Sequence, residues 1–256
     1  MIRLEGRYFR YLPINNPGYE NEEIELNPEK TAFVVMHCWN IGCKDGPDID
    51  PNYAVGMCFP ESFQEAERIM SDYIRPAVDV ARNNGILVCH VENEHIGQKH
   101  QKAQEDLDPP KIATRSNDPV VPGWAQFIHF RAHGKDYPNR PPYVSMDRAK
   151  ILEPKPNEPY VYQTGQFDRI LRRHGIENLI YSGFATDMCI LRAPGGAETM
   201  LPLGYRTYLM RDATLGTEFP DTFNERLATS WGIRYFETHC GDSLTFNNFI
   251  EAVQNL

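Results

Sequence analysis

Long apolar runs, paired cysteines and an excess of positive charge are all missing from this chain. No stretch approaches the ~20 apolar residues that a membrane-spanning helix needs, so no membrane partner is expected. The opening residues, Met1-Ile-Arg-Leu-Glu-Gly-Arg7, lack the apolar centre of a signal peptide. Six cysteines (38, 43, 58, 89, 189 and 240) are scattered without a CxxC pair. In a chain of this size that pattern argues for reduced thiols and a cytoplasmic setting, not for a disulfide framework. Acidic residues outnumber basic ones by 35 to 26, giving a net charge of −9. That balance argues against nucleic acid or an anionic membrane surface as the main partner. The expected partner is a small molecule.

The 256 residues suffice for one large α/β domain. Residues 1–30 are polar, with Pro13, Pro17, Pro28 and an acidic run from Glu20 to Glu25. They read as an arm lying on the body or on a partner subunit, so a homo-oligomer is expected. The remainder, 31–256, reads as a single domain. Residues 31–37 are a continuous apolar run, as a strand covered on both faces requires. Helical spacing follows over 61–83, with Pro76 expected to kink or split it, and a second strand over 86–91. Residues 96–158 are an irregular, proline-punctuated insert in which 124–133 reads as a short helix. Such a segment is expected to cover the sheet edge, form a lid or make an oligomer contact. Beyond it come strand 159–162, helix 166–174, strand 179–182, helix 188–200, strand 205–210, helix 221–231 stopped by Gly232, strand 233–236 and helix 243–254. Pro194-Gly195-Gly196 should interrupt the helix over 188–200. This cadence predicts a three-layer α/β/α, doubly wound sheet of about six mainly parallel strands.

One stretch carries chemistry: Asn178-Leu-Ile-Tyr-Ser-Gly-Phe-Ala-Thr-Asp-Met-Cys189. Ser182 and Gly183 break the strand, and Thr186 and Asp187 are good helix N-caps. Cys189 therefore falls in the first turn of a helix, just past a strand's carboxyl end, where open α/β sheets bind ligands. Free N–H groups and the helix dipole favour a thiolate or an oxyanion there. The plain alternative is a buried cysteine that packs a helix on the sheet.

The block 181–189 resembles the isochorismatase-like cysteine hydrolase family, which includes nicotinamidases and N-carbamoyl amidohydrolases. Residues 171–179, Gly204-Tyr205 and Arg211-Asp212-Ala213-Thr214 support the resemblance, which covers roughly residues 30–235. It implies an isochorismatase-like, Rossmann-like fold and a cysteine nucleophile that forms a thioester with an amide-type carbonyl. It also implies a cis peptide, here Phe184–Ala185, with Ala185 and Cys189 N–H groups as the oxyanion hole. The family's Asp and Lys fall on His37 and on Gln163, or on Tyr162 if the gap is placed differently.

The resemblance therefore implies a hydrolase of small amide, carbamoyl, related C–N or ester substrates. Cys189 is its nucleophile, His37 replaces the Asp and Gln163 replaces the Lys. Trp39, Asn40, Tyr162 and Phe184 would line the pocket. A degenerate member that binds without reacting is the alternative. No cofactor is expected and no metal ligand is assigned. A metal held among His37, Cys38, His90, Glu92 and His95, near the ends of the first two strands, is a further reading.

Overall fold

The computed structural model describes residues 1–50, 52, 59–110, 119–135, 139 and 144–256. Among them are eight strands: β1 (Ile2–Arg10), β2 (Gly18–Leu26), β3 (Thr31–Met36), β4 (Leu87–Val91), β5 (Tyr160–Val161), β6 (Asn178–Phe184), β7 (Arg206–Leu215) and β8 (Gly241–Leu244). They form one sheet in the order β2-β1-β8-β7-β6-β3-β4-β5. From β8 to β5 every neighbouring pair is parallel. The N-terminal segment read as an arm is largely an antiparallel hairpin of β1 and β2, joined antiparallel to β8. The predicted α/β sheet is thus present, with six parallel strands and a hairpin added at one edge.

The central strands β3 and β6 are buried along their whole length. Their side chains alternate between two apolar layers, as the two-residue period of a strand demands. Phe33, Val35, Ile180 and Phe184 enter one layer; Val34, Met36, Leu179 and Tyr181 enter the other. β6 does not stop at Ser182. Gly183 sits at φ +110°, and a Cβ there would lie 2.0 Å from the Met36 carbonyl oxygen. Glycine is therefore what lets the strand continue beside β3 to the site.

The helices are α1 (Pro60–Ile69), α2 (Arg75–Asn83), α3 (Glu94–Gly97), α4 (Trp124–His133), α5 (Thr164–Arg173), α6 (Cys189–Arg192), α7 (Ala197–Met200), α8 (Leu227–His239) and α9 (Phe246–Gln254). The helical stretch expected over 61–83 is α1 and α2 joined by a π-helical turn, Met70–Ile74. Pro76 stands in the first turn of α2, where a missing N–H is tolerated. The helix expected over 188–200 is two single turns, α6 and α7, separated at Pro194-Gly195-Gly196. In the insert, α4 forms as expected, with no buried residue. The rest of 96–158 lies partly outside the described residues. Its end returns to the body, where Arg148 bridges Trp39.

The strand expected over 233–236 is absent: these residues belong to α8, and the last strand is β8. Gly232 was expected to stop a helix, and it lies inside one. A Cβ at Gly232 would come within 2.8 Å of Asp187 N and 2.9 Å of Thr186 C. The glycine serves close packing of α8 on the loop that leads to Cys189.

Candidate functional site at the carboxyl edge of the sheet

β3 ends at Met36, and the chain turns at His37, which has φ 50°, an uncommon conformation for a residue with a side chain. The His37 N–H donates to Val91 O at 3.0 Å, which ties the turn to the end of β4. The imidazole is buried, and the Glu92 main chain is a polar group it faces. Burial pushes its pKa down to about 4, with the Glu92 main chain opposing the shift. His37 is therefore neutral at neutral pH. Trp39 stacks on it, with ring centroids 5.5 Å apart and planes 19° from parallel. The Trp39 Nε1–H donates to Glu92 Oε2 at 3.0 Å. Glu92 follows β4 and is buried; burial lifts its carboxyl to about 8. The Trp39 hydrogen bond opposes that lift, Asp147 adds to it and Arg148 opposes it. This stack of imidazole, indole and carboxyl carries little net charge at pH 7.

On the neighbouring strand, β6 ends at Phe184, and the Phe184–Ala185 peptide is cis, as the resemblance implied. Cys189 opens α6. The expected N-caps act elsewhere. Asp187 Oδ1 accepts from Thr217 N at 2.8 Å and from Thr217 Oγ1 at 3.1 Å. Thr186 and Thr214 hydroxyls meet at 2.6 Å. Both side chains tie this loop to β7 and the segment after it, while the first N–H groups of α6 find the main-chain oxygens of Ala185 and Met188. Burial pushes the Cys189 thiol above its usual pKa; a hydrogen bond with the Ala185 main chain opposes this, and Asp187 adds to it. The thiolate that a helix N-terminus favours is outweighed here by desolvation.

His37, Trp39, Phe184, Ala185 and Cys189 line one cavity of about 40 Å³, enough for a few water-sized groups. The opposite wall was not singled out in the sequence: Phe63, Ala66 and Met70, running along α1 into the π turn. Their i, i+3, i+7 spacing was legible, but it reads equally as a core-facing helix stripe. Ile41 and Met188 complete the lining.

Three predicted site residues do not line this cavity. Asn40 donates from Nδ2 to Asp45 O at 3.2 Å and accepts from Asp147 N at 2.8 Å. The Tyr162 hydroxyl donates to Gln104 Oε1 at 3.1 Å. Gln163 Oε1 accepts from Asp108 N at 2.6 Å. All three tie residues of the insert, or the loop after β3, to the body. The residues considered for a metal are likewise engaged separately. His90 Nε2 meets Glu158 Oε2 at 3.0 Å, and Arg82 clamps the same carboxylate at 2.7 and 2.8 Å. Glu92 faces Trp39. No cluster of three or more His, Cys, Asp or Glu side chains suited to a metal ion occurs among the described residues. Nor is any described helix long and apolar enough to cross a membrane.

With a cysteine opening a helix at the carboxyl edge of its parallel strands, the chain has the α/β fold of solved isochorismatase-like proteins. Its sequence is 25% identical over 244 residues to the ureidoacrylate amidohydrolase RutB of Pantoea ananatis (strain LMG 20103), covering 91% of this chain and 85% of that one. Its fold matches a cysteine hydrolase from Pseudomonas syringae pv. phaseolicola 1448A (TM-score 0.56, 14% identity, 90% of this chain and 95% of that one). It also matches an isochorismatase family protein from Desulfovibrio vulgaris subsp. vulgaris str. Hildenborough (TM-score 0.52, 17% identity, 88% and 98%). No family model matches the chain.

Proposed function

We propose that this protein is a cysteine-dependent hydrolase of a small amide, carbamoyl or related C–N or ester substrate. The observation that carries the reading is that Cys189 and His37 share the wall of one small cavity. The similarity to an amidohydrolase supports it. Cys189 Sγ attacks the substrate carbonyl carbon as the neutral His37 imidazole takes the thiol proton. The oxyanion is held by Ala185 and Cys189 N–H groups. The C–N or C–O bond breaks, His37 returns the proton to the leaving amine or alcohol, and a thioester remains on Cys189. Water then hydrolyses the thioester, releasing the acid and restoring the thiol. Trp39 and Phe184 hold the acyl group. Gln163, Tyr162 and Asn40 have no part in this scheme, because their polar groups already serve other partners. The five described cysteines are free thiols, which supports a reducing, cytoplasmic setting. Exposed Leu227 and Trp231, four residues apart on α8, support a homo-oligomer.

A second reading, binding without turnover, is favoured by one observation: the Cys189 thiol is raised, not lowered. Mass spectrometry of the protein mixed with activated esters and carbamoyl compounds separates the two. The hydrolase reading requires a transient acyl adduct on Cys189, product release, and loss of both in Cys189→Ala; His37→Ala retains the thiol and loses turnover. Absence of any adduct across the panel leaves the binding reading standing.

A further inference from the structure

We infer that this cavity selects uncharged, apolar acyl groups and excludes carboxylated ones. The site is the one in the hydrolase reading, but the selectivity is a property of its walls. Among the described residues, no Asp, Glu, Lys or Arg lines the cavity. The wall made by α1 and the π turn is Phe63, Ala66 and Met70, and the facing wall is Phe184 and Trp39. The two titratable groups in the lining are both uncharged at neutral pH: burial holds His37 as free imidazole and Cys189 as thiol. Glu92, behind Trp39, is lifted to about 8 and is mostly a neutral acid at pH 7.

A carboxylate brought into such a space loses its water and meets no cation, which is among the most costly transfers in protein chemistry. An apolar acyl chain gains from the same surfaces. The amidohydrolase it resembles is named for an acrylate. The lining described here offers no counter-ion for an acid.

The test pairs a neutral probe with the same acyl chain extended by a carboxylate. p-Nitrophenyl propionate is compared with mono-p-nitrophenyl succinate in turnover, and propionamide with succinamate in calorimetric binding to Cys189→Ala. The propionyl ester should have kcat/KM about 100-fold above the succinyl ester, and propionamide should bind where succinamate does not. Met70→Lys, with Met70→Leu as control, should shift the preference towards the acid by placing an ammonium in the wall. Should Met70→Lys fail to fold, the wild-type pairs decide. Succinyl turnover within about threefold of propionyl, or equal binding of the two amides, overturns the inference. Binding of neither amide at tens of millimolar overturns it also. Selective binding without turnover removes the hydrolase reading and leaves the selectivity intact.

Discussion

The indole Nε1–H of Trp39 donates to Glu92 Oε2 at 3.0 Å, joining the loop after β3 to the end of β4. The same indole covers the His37 imidazole. One face of a buried histidine is thus covered by a ring that a buried acid holds in place.

Trp39→Phe keeps an aromatic face against His37 and deletes the donor. Glu92 is then left buried with one partner fewer, and unfolding free energy from denaturant titration should fall by about 1–3 kcal/mol. A loss below about 0.5 kcal/mol would show that Glu92 is satisfied without the indole.

Protonation gives the pair a pH signature. His37 titrates near 4 when folded and at about 6.5 when unfolded. Between those values the unfolded chain binds a proton that the folded one refuses, so stability falls as pH drops through the window. Glu92 acts oppositely: the folded protein keeps its proton up to about 8, whereas the unfolded chain loses it near 4.5. Its contribution is full below about 4.5 and is lost as pH rises towards 8. From 4.5 to 6.5 the two slopes oppose; from 6.5 to 8 only Glu92 acts, costing about 2 kcal/mol. The unfolding free energy of wild type minus that of Glu92→Gln should therefore fall by about that amount from pH 6.5 to 8. A difference that stays flat across this interval contradicts the assignment.

Gly232→Ala pushes a methyl into the main chain of Thr186 and Asp187. It should cost about 1–3 kcal/mol and change the alkylation rate of Cys189, which follows Asp187 by two residues. Gly18→Ala, where nothing lies within 4 Å of a new Cβ, is the control and should change stability by about 0.5 kcal/mol or less. Equal effects from the two substitutions would remove the argument from close packing.

Carboxamidomethylation of Cys189, followed by peptide mass spectrometry, should accelerate with pH beyond the ordinary thiol range, because burial outweighs the Ala185 hydrogen bond. A rate that levels off below pH 8 would mean a depressed thiol and a site polarised before substrate arrives.

The parallel sheet was legible because apolar runs and glycine stops alternate from residue 31 onwards. The Cys189 stretch was legible because strand, loop and helix start fall within a dozen residues. Other features depended on tertiary contacts. Gly232 looks like a helix stop, and only the backbone of Thr186–Asp187 explains a glycine inside α8. β8 reads Gly-Asp-Ser-Leu and has a single apolar residue, so no periodicity could mark it. The π turn that precedes Pro76 has no sequence signature. The family register put Gln163, or Tyr162, in the place of the Lys and Asn40 at the pocket, whereas their hydrogen bonds run to Asp108, Gln104, Asp45 and Asp147. Trp39 and Glu92 lie 53 residues apart and meet only because β3 and β4 are neighbours.

The hairpin that extends the sheet also gives it an acidic border. β2 is the outermost strand, and Glu22, Glu23 and Glu25 stand exposed along it. Two such borders brought together would set carboxylate against carboxylate, a repulsion that acts over about 10 Å at 0.1 M salt. The opposite border is β5, two residues long and too short to template another chain. One rim carries charge and the other is short, and both features disfavour edge-to-edge growth of the sheet.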